Sequence, residues 1–170
     1  MNLLLTDTPL AICFPQEGNR RYIDLSGKRI ANCIGCFGCW TKTPGKCVIR
    51  DDATQVYPVI AQSRKVIYVS RIRFGTYDTI MKTMLERAIP IQKAWIRLHN
   101  GETHHAQRDV VPKDATVIAY GDSSPEEKEL FRRLVGRNAH NMSFASHRVL
   151  FAEEPELETL VQQEVEKWES

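Results

Sequence analysis

The chain has 170 residues, which fits one domain, and its composition (42% hydrophobic, 26% charged) excludes a disordered or collagen-like protein. No apolar run approaches the ~18 residues that span a bilayer, and the start lacks the basic residues of a secretory signal, so we expect no membrane segment and a cytoplasmic location. The net charge is +2, but residues 1–151 hold 22 Lys and Arg against 14 Asp and Glu. This surplus suits an anionic ligand such as a nucleotide, and the lack of a dense basic stripe argues against a nucleic-acid partner.

Strand and helix patterns alternate along the chain. Apolar runs rich in β-formers predict strands at residues 3–6, 22–25, 66–69, 115–120 and 148–151. Apolar side chains at helical spacing predict helices over residues 53–62 and 78–88, from residue 124, and over residues 154–168. The alternation predicts a single α/β domain over residues 1–170, with a parallel sheet covered on both faces. Ligands bind such sheets beyond the carboxyl ends of the strands, so the candidate loops are residues 7–20, 70–76 and 121–124, while residues 90–113 are expected to be irregular.

The densest chemical signal is a group of four cysteines, Cys33, Cys36, Cys39 and Cys47. Two-residue gaps bring successive thiolates round one centre, a spacing that iron–sulfur clusters and structural zinc sites use. The alternative is a tight glycine-rich turn whose sulfurs pack as small apolar groups. The spacing alone leaves both interpretations open. Cys13 lies outside the group and is expected to be a packed thiol.

The cysteine segment also resembles a known family. Cys33-Ile-Gly-Cys-Phe-Gly-Cys-Trp40 and Thr43-Pro-Gly-Lys-Cys-Val-Ile-Arg-Asp-Asp52 are similar to the hallmark of the flavodoxin-fold NAD(P)H-dependent FMN reductases, a group that includes the iron–sulfur flavoproteins. The likeness continues at Leu85-Glu86-Arg87 and at Asn100-Gly101-Glu102-Thr103-His104-His105, and covers roughly residues 30–140. The resemblance implies a flavodoxin-like three-layer sandwich with a five-stranded parallel sheet.

The resemblance implies FMN as the redox cofactor, NAD(P)H as co-substrate, and a small electron acceptor such as a quinone or a second flavin. It also implies a homo-oligomer, because flavins in this fold often lie near a subunit interface. No catalytic side chain is required, because hydride passes between two cofactors. An iron–sulfur cluster at the four cysteines is allowed, but many relatives keep similar cysteines without one, which weighs against it. The residues expected to border the flavin are Ser70, Arg71, Ile72, Arg73, Phe74, Gly75, Thr76, Gly121, Asp122 and Ser123.

The amino-terminal loop departs from the family. Flavodoxin-like proteins seat the FMN phosphate at the start of the first helix, after the first strand. Here 14 residues separate Thr6 from Arg21, and Pro9 and Pro15 interrupt them, so the first helix is expected to be missing. Asp7 stands in this loop and would repel a phosphate.

The loop after the strand at residues 66–69 also departs from the family. Arg71 and Arg73 stand where relatives usually have Pro and Tyr. A guanidinium can grip a phosphate or a ring oxygen through two hydrogen bonds, so Arg71, Arg73 and Arg20 or Arg21 are expected to replace the lost phosphate site. The alternative is that these arginines are solvated surface charges.

The chain therefore predicts an FMN-dependent NAD(P)H oxidoreductase. The alternatives are a flavodoxin-like protein whose degenerate cofactor site serves as a binding or regulatory module, and a cysteine-based metal or redox sensor. Adjacent His104 and His105 should point to opposite faces of an extended chain, so we do not expect them to share a metal ion. The resemblance suggests that this segment borders the flavin or a subunit contact, with His104 or Glu102 lining it.

Overall fold

A five-stranded parallel sheet forms the centre of the computed structural model, which describes residues 1–15 and 18–168. The sheet order is β2-β1-β3-β7-β8, and β4 pairs antiparallel with the end of β3. The predicted α/β class with five parallel strands is confirmed. The strands are β1 (Asn2–Thr6), β2 (Arg20–Asp24), β3 (Lys65–Arg73), β4 (Thr76–Tyr77), β5 (Gln92–His99), β6 (Glu102–Gln107), β7 (Lys113–Tyr120) and β8 (Phe144–Ala152).

Two apolar clusters cover the two faces of the sheet. Neighbouring residues of a strand point to opposite faces, so Leu3 and Leu5 join one cluster and Leu4 joins the other. The first cluster packs under α2, α3 and α4, and the second packs under α5. No helix in the described part of the chain is long and apolar enough to cross a membrane. The helices are α1 (Gly38–Thr41), α2 (Ala53–Gln62), α3 (Thr79–Glu86), α4 (Pro125–Asn141) and α5 (Leu157–Glu166).

The described part of the loop between β1 and β2 contains no helix, as its two prolines predict. The loop instead lies beside α5, on the sheet face that this helix covers. The backbone N–H of Ala11 donates to Glu158 (2.7 Å), and that of Cys13 donates to Gln162 (3.0 Å). The residues on either side of Cys13 pack inward, so its own side chain is exposed. The prediction of a packed Cys13 thiol is therefore wrong.

Helix α4 begins with a capping box at Ser124, the residue from which this helix is predicted. The Ser124 hydroxyl accepts from the backbone N–H of Glu127 (3.2 Å), and the Glu127 carboxylate accepts from the Ser124 N–H (2.9 Å). These bonds satisfy two backbone donors at the start of the helix and fix the residue at which α4 begins after β7. Helix α5 begins later than predicted, because Glu154–Glu156 form a 3₁₀ turn before it.

Residues 90–113 contain a β-hairpin, so the prediction that they are irregular is wrong. Strands β5 and β6 pair antiparallel, with His99 opposite Glu102. Asn100 and Gly101 form the turn and both have positive φ angles, 52° and 78°. Asn-Gly is a strong signal for such a two-residue turn, and it is present in the sequence.

Candidate functional site

A cavity of about 460 Å³ lies at the carboxyl ends of β3 and β7. Six of the ten residues predicted to border a flavin line it, together with acidic residues from α4 and from the turn that follows β8. The lining consists of Arg71, Ile72, Arg73, Phe74, Gly121, Asp122, Glu127, Glu153, Glu154 and Pro155. The topology therefore brings the two predicted segments together around one space.

The segment after Val69 is a strand continuation and not the predicted loop. β3 extends to Arg73, and a two-residue turn at Phe74 and Gly75 leads into β4. Both turn residues have positive φ angles, 51° and 70°. A turn of this kind matches the twist of a hairpin. It leaves the Phe74 ring 86% exposed at the rim of the cavity.

Both arginines of the cavity have carboxylate partners. Arg71 pairs with Glu154, and its guanidinium lies 4.9 Å from the centre of the Tyr120 ring. Arg73 Nε donates to Asp78 Oδ2 (3.1 Å). Four carboxylates line the cavity against these two guanidiniums, so the space carries a net negative charge.

Arg20 and Arg21 lie too far from the cavity to take part. They begin β2, and the register pairs Arg20 with Asn2, the first residue of β1. The strands are parallel, so both arginines stand at the amino-terminal edge of the sheet, opposite the cavity. The expectation that either joins an anion site with Arg71 is therefore wrong.

Asp7 fills the crevice between the ends of β1, β3 and β7. Its side chain is buried, and Oδ2 accepts from the Ser70 hydroxyl (2.8 Å) and the Arg71 backbone N–H (2.9 Å). Oδ1 accepts from the Tyr120 hydroxyl (3.0 Å). Burial raises the pKa of Asp7 above its ordinary value, although these three hydrogen bonds oppose the shift. A carboxylate of the chain itself thus takes the donors that surround this crevice.

The other predicted flavin contacts lie outside the cavity lining. Ser70 is buried beneath it, with its hydroxyl bonded to Asp7. Thr76 borders a different cavity, between α3 and α4. Gly75 packs against the Leu130 side chain, and the Ser123 hydroxyl is buried without a hydrogen-bond partner among the described residues.

The four cysteines surround a second, much smaller cavity of about 50 Å³ with apolar walls. Cys33 and Cys36 are exposed, Cys39 and Cys47 are half-buried, and none of the four forms a disulfide with a described cysteine. Burial, followed by the charges of Cys47, Cys33 and Cys36, raises the pKa of Cys39 above its ordinary value. The sulfurs therefore lie within electrostatic range of one another. The presence of a metal stays a prediction.

A buried arginine anchors the cysteine segment to α3. The side chain of Arg87 is 1% exposed. Its Nη1 donates to the Ala31 carbonyl (2.6 Å) and to Asp51 Oδ2 (2.7 Å), and its Nη2 donates to Asp51 Oδ1 (2.9 Å). Nη2 also lies 3.3 Å from Cys47 Sγ. One guanidinium thus ties both ends of the segment together.

His104 and His105 point to opposite faces of the hairpin, as predicted. The His105 ring lies against Trp40, with ring centres 4.7 Å apart. His104 is buried against α4 and contacts Asn141 and His140 there. His140 was not predicted from the sequence to belong to this group. No local pattern marks it, because it is separated from His104 by a strand and a helix.

Comparisons with known proteins give two partial sequence matches and no matching family model. An iron–sulfur flavoprotein of Archaeoglobus fulgidus is 34% identical over 68 residues, which are 40% of this chain and 30% of the relative. An iron–sulfur flavoprotein of Methanocaldococcus jannaschii is 31% identical over 78 residues, 45% of this chain and 39% of the relative. The matched stretch therefore spans about a third of the length of these curated relatives.

Solved structures match nearly the whole chain. An azoreductase of Bacillus anthracis has a TM-score of 0.58 at 11% identity, covering 96% of this chain and 91% of that one. An FMN-dependent NADH-azoreductase of the same organism, in complex with FMN, has a TM-score of 0.58 at 10% identity, and the match covers 98% of this chain and 95% of that one. An NADPH-quinone reductase of P. pentosaceus has a TM-score of 0.55 at 11% identity, and the match covers 99% of this chain and 97% of that one. The resemblance predicted from the cysteine motif is confirmed: the chain has the flavodoxin-like fold and is similar, over part of its length, to iron–sulfur flavoproteins.

Proposed function

We propose that the chain is an FMN-dependent NAD(P)H oxidoreductase that passes electrons to a small acceptor such as a quinone or a free flavin. The observation that carries this proposal is the cavity at the carboxyl ends of β3 and β7, where six predicted flavin contacts meet. The partial similarity to iron–sulfur flavoproteins and the fold shared with flavin-dependent reductases support it. The proposal includes a cytoplasmic location and a homo-oligomeric state.

The residues around the cavity fit the ring of a flavin. A volume of about 460 Å³ is within the range of small-molecule sites. Phe74 offers an exposed aromatic surface at the rim, and Gly121 has a φ of 93°, which permits a sharp turn at the cavity wall. Bound flavin supplies a hydride acceptor for the nicotinamide and an electron donor for the next substrate. The chain's part is to orient the ring, to exclude water and to present the Arg71 and Arg73 donors.

The residues do not fit the phosphate of FMN at the place where the fold usually holds it. That place is the crevice after β1, and the Asp7 carboxylate occupies it. Four carboxylates also outnumber two guanidiniums around the cavity, which disfavours a dianion. We therefore expect the phosphate to add little to flavin affinity.

A second candidate function follows from this mismatch. The filled crevice favours a protein whose cofactor site has degenerated and which acts as a binding or regulatory module. A metal or redox sensor built on the cysteines is the third candidate, and the four thiols around one cavity favour it. Both candidates predict a protein that does not bind added flavin.

Flavin titration of wild-type protein and two matched variants tests the proposal. Asp122→Trp fills the cavity, whereas Glu166→Trp adds the same ring and removes the same charge near the end of α5, away from the cavity. We expect saturable quenching of FMN fluorescence by wild-type protein and by Glu166→Trp, with affinity weakened by roughly tenfold or more in Asp122→Trp. Equal affinity in both variants would contradict the cavity as the site. Absence of binding by wild-type protein would favour the module or the sensor, and iron, sulfide and zinc assays on anaerobically purified protein then separate these two.

A further inference from the structure

Three side chains with metal-ligating atoms meet where the β5–β6 hairpin packs on α4. Glu102 and His104 belong to β6, and His140 is in the last turn of α4. Their donor atoms all lie within 4.8 Å of one another. His104 Nε2 lies 2.9 Å from Glu102 Oε2, and His140 Nδ1 lies 4.0 Å from the same oxygen. The two imidazole rings are nearly parallel, with centres 5.7 Å apart.

Both ring nitrogens of His104 have polar partners. Nδ1 lies 3.0 Å from Asn141 Oδ1, and Nε2 lies 2.9 Å from Glu102 Oε2. When Nδ1 donates its proton to the Asn141 oxygen, the lone pair of Nε2 in the neutral ring points towards the Glu102 carboxylate. A metal ion held between Nε2 and this carboxylate would then be bound by both groups.

We propose that Glu102, His104 and His140 bind a divalent transition-metal ion. Two imidazoles and one carboxylate are a donor set that Zn²⁺ and Fe²⁺ use, and three protein ligands leave a position open for water. The bond from His104 Nδ1 to Asn141 is the outer contact that ligating histidines usually make. The metal would join the hairpin to the carboxyl end of α4.

Arg137 is compatible with this site. Its Nη1 donates to Glu102 Oε1 (2.7 Å), the carboxylate oxygen that faces away from His104. Its Nη2 reaches Oε2 at 3.1 Å, and the side chain is 65% exposed, so it can shift towards Oε1 when a metal takes Oε2. A ligating carboxylate held by a second-sphere donor in this way is a common arrangement.

Histidine-ring NMR during a Zn²⁺ titration tests the proposal without interference from thiol binding. The chain has five histidines, and the ring signals report each one separately. The titration uses reduced wild-type protein, His140→Ala, Glu102→Gln and the control His147→Ala, which removes an exposed histidine on β8. His140 is one-third exposed and Glu102→Gln preserves side-chain shape, so both variants should fold. A dispersed amide spectrum checks this.

We expect Zn²⁺ to shift the ring signals of His104 and His140 and to leave that of His147 in place. His140→Ala and Glu102→Gln should weaken the Zn²⁺ affinity reported by His104 by roughly tenfold or more, since loss of an outer contact alone costs 10–100-fold. His147→Ala should behave as wild type. The proposal is overturned if the His104 and His140 signals stay unchanged while Zn²⁺ saturates the cysteines. It is equally overturned if His140→Ala and Glu102→Gln bind as well as His147→Ala.

Discussion

Replacement of Arg87 should loosen the cysteine segment and destabilise the whole fold. Arg87→Met keeps most of the side-chain volume but removes the guanidinium that bonds Asp51 and the Ala31 carbonyl. Breaking a buried ion pair costs ~3–5 kcal/mol, because a charge stays behind without its partner. Asp51 is 14% exposed and keeps hydrogen bonds from the backbone N–H groups of Ala31 and Ala53. We therefore expect Arg87→Met to lower the free energy of unfolding by about 3 kcal/mol, the lower end of this range.

The opposite replacement should cost more. Asp51→Asn leaves the Arg87 guanidinium, which is 1% exposed, without a carboxylate partner. We therefore expect this variant to lower the free energy of unfolding by about 5 kcal/mol. In the double variant neither charge remains, and its cost should fall short of the sum by about 2–3 kcal/mol. Urea unfolding of reduced, metal-free protein at neutral pH measures all three variants. Costs that add to within about 0.5 kcal/mol would refute the coupling between Arg87 and Asp51.

The same pair predicts a dependence on acid. Burial works to raise the pKa of Asp51, but the hydrogen bonds from Arg87 and from the Ala31 N–H outweigh it and hold the pKa below its ordinary value. A carboxyl whose pKa is lowered on folding stabilises the fold above its ordinary range and loses this contribution as the pH falls through the folded pKa. The stability gap between wild type and Asp51→Asn should therefore be full at pH 7 and should shrink in acid. A gap that is constant with pH would contradict this assignment.

Three further predictions concern a lysine, the filled crevice and the hairpin. Burial lowers the pKa of Lys113 to about 8, whereas in the unfolded chain the lysine keeps its proton up to roughly pH 10.4. Lys113→Met should therefore be more stable than wild type at pH 7, and this difference in the free energy of unfolding should shrink by up to ~1.4 kcal/mol per pH unit between these two pH values. Urea unfolding measures the difference, and a difference that is constant with pH would contradict the prediction. The dissociation constants of wild-type protein for FMN and riboflavin should agree to within roughly threefold in fluorescence titrations. Asp7→Asn should strengthen the binding of FMN but not that of riboflavin. A strong preference of the wild type for FMN would show that a phosphate site exists. Trp95 and Leu98 are 66% and 78% exposed on β5, and exposed apolar side chains of this kind mark an interface between subunits. Leu98→Glu should therefore dissociate the proposed oligomer and lower the molar mass measured by light scattering. A monomeric wild type would contradict this prediction.

The central sheet could be predicted from sequence because its strands are short apolar runs buried on both faces. Residues 66–69 and 115–120 have this character, and both lie inside observed strands, β3 and β7. The extension of β3 to Arg73 could not be predicted in the same way, since it depends on strand pairing: Ser70 and Arg71 pair with β7, and the last two residues pair with β4. The β5–β6 hairpin could have been found from Asn100-Gly101, but its strands expose apolar side chains and lack clear alternation.

The candidate site was predictable in position and not in electrostatics. Strand order alone brings Arg71 and Gly121 to one edge of the sheet. The charge balance depends on partners that are distant in sequence, such as Glu154 beside Arg71. Asp7 was expected to repel a phosphate, yet the sequence does not reveal that its carboxylate bonds Ser70 across 63 residues. Such long-range pairs follow from the fold and have no local pattern.

Anaerobic reduction of FMN by NADH or NADPH in the presence of the protein is the measurement that bears most directly on the proposed activity. We expect the visible band of the flavin to bleach at a rate that saturates with nicotinamide concentration, and Asp122→Trp to slow this bleaching while Glu166→Trp does not. Bleaching no faster than that of free FMN with the same nicotinamide would contradict the account.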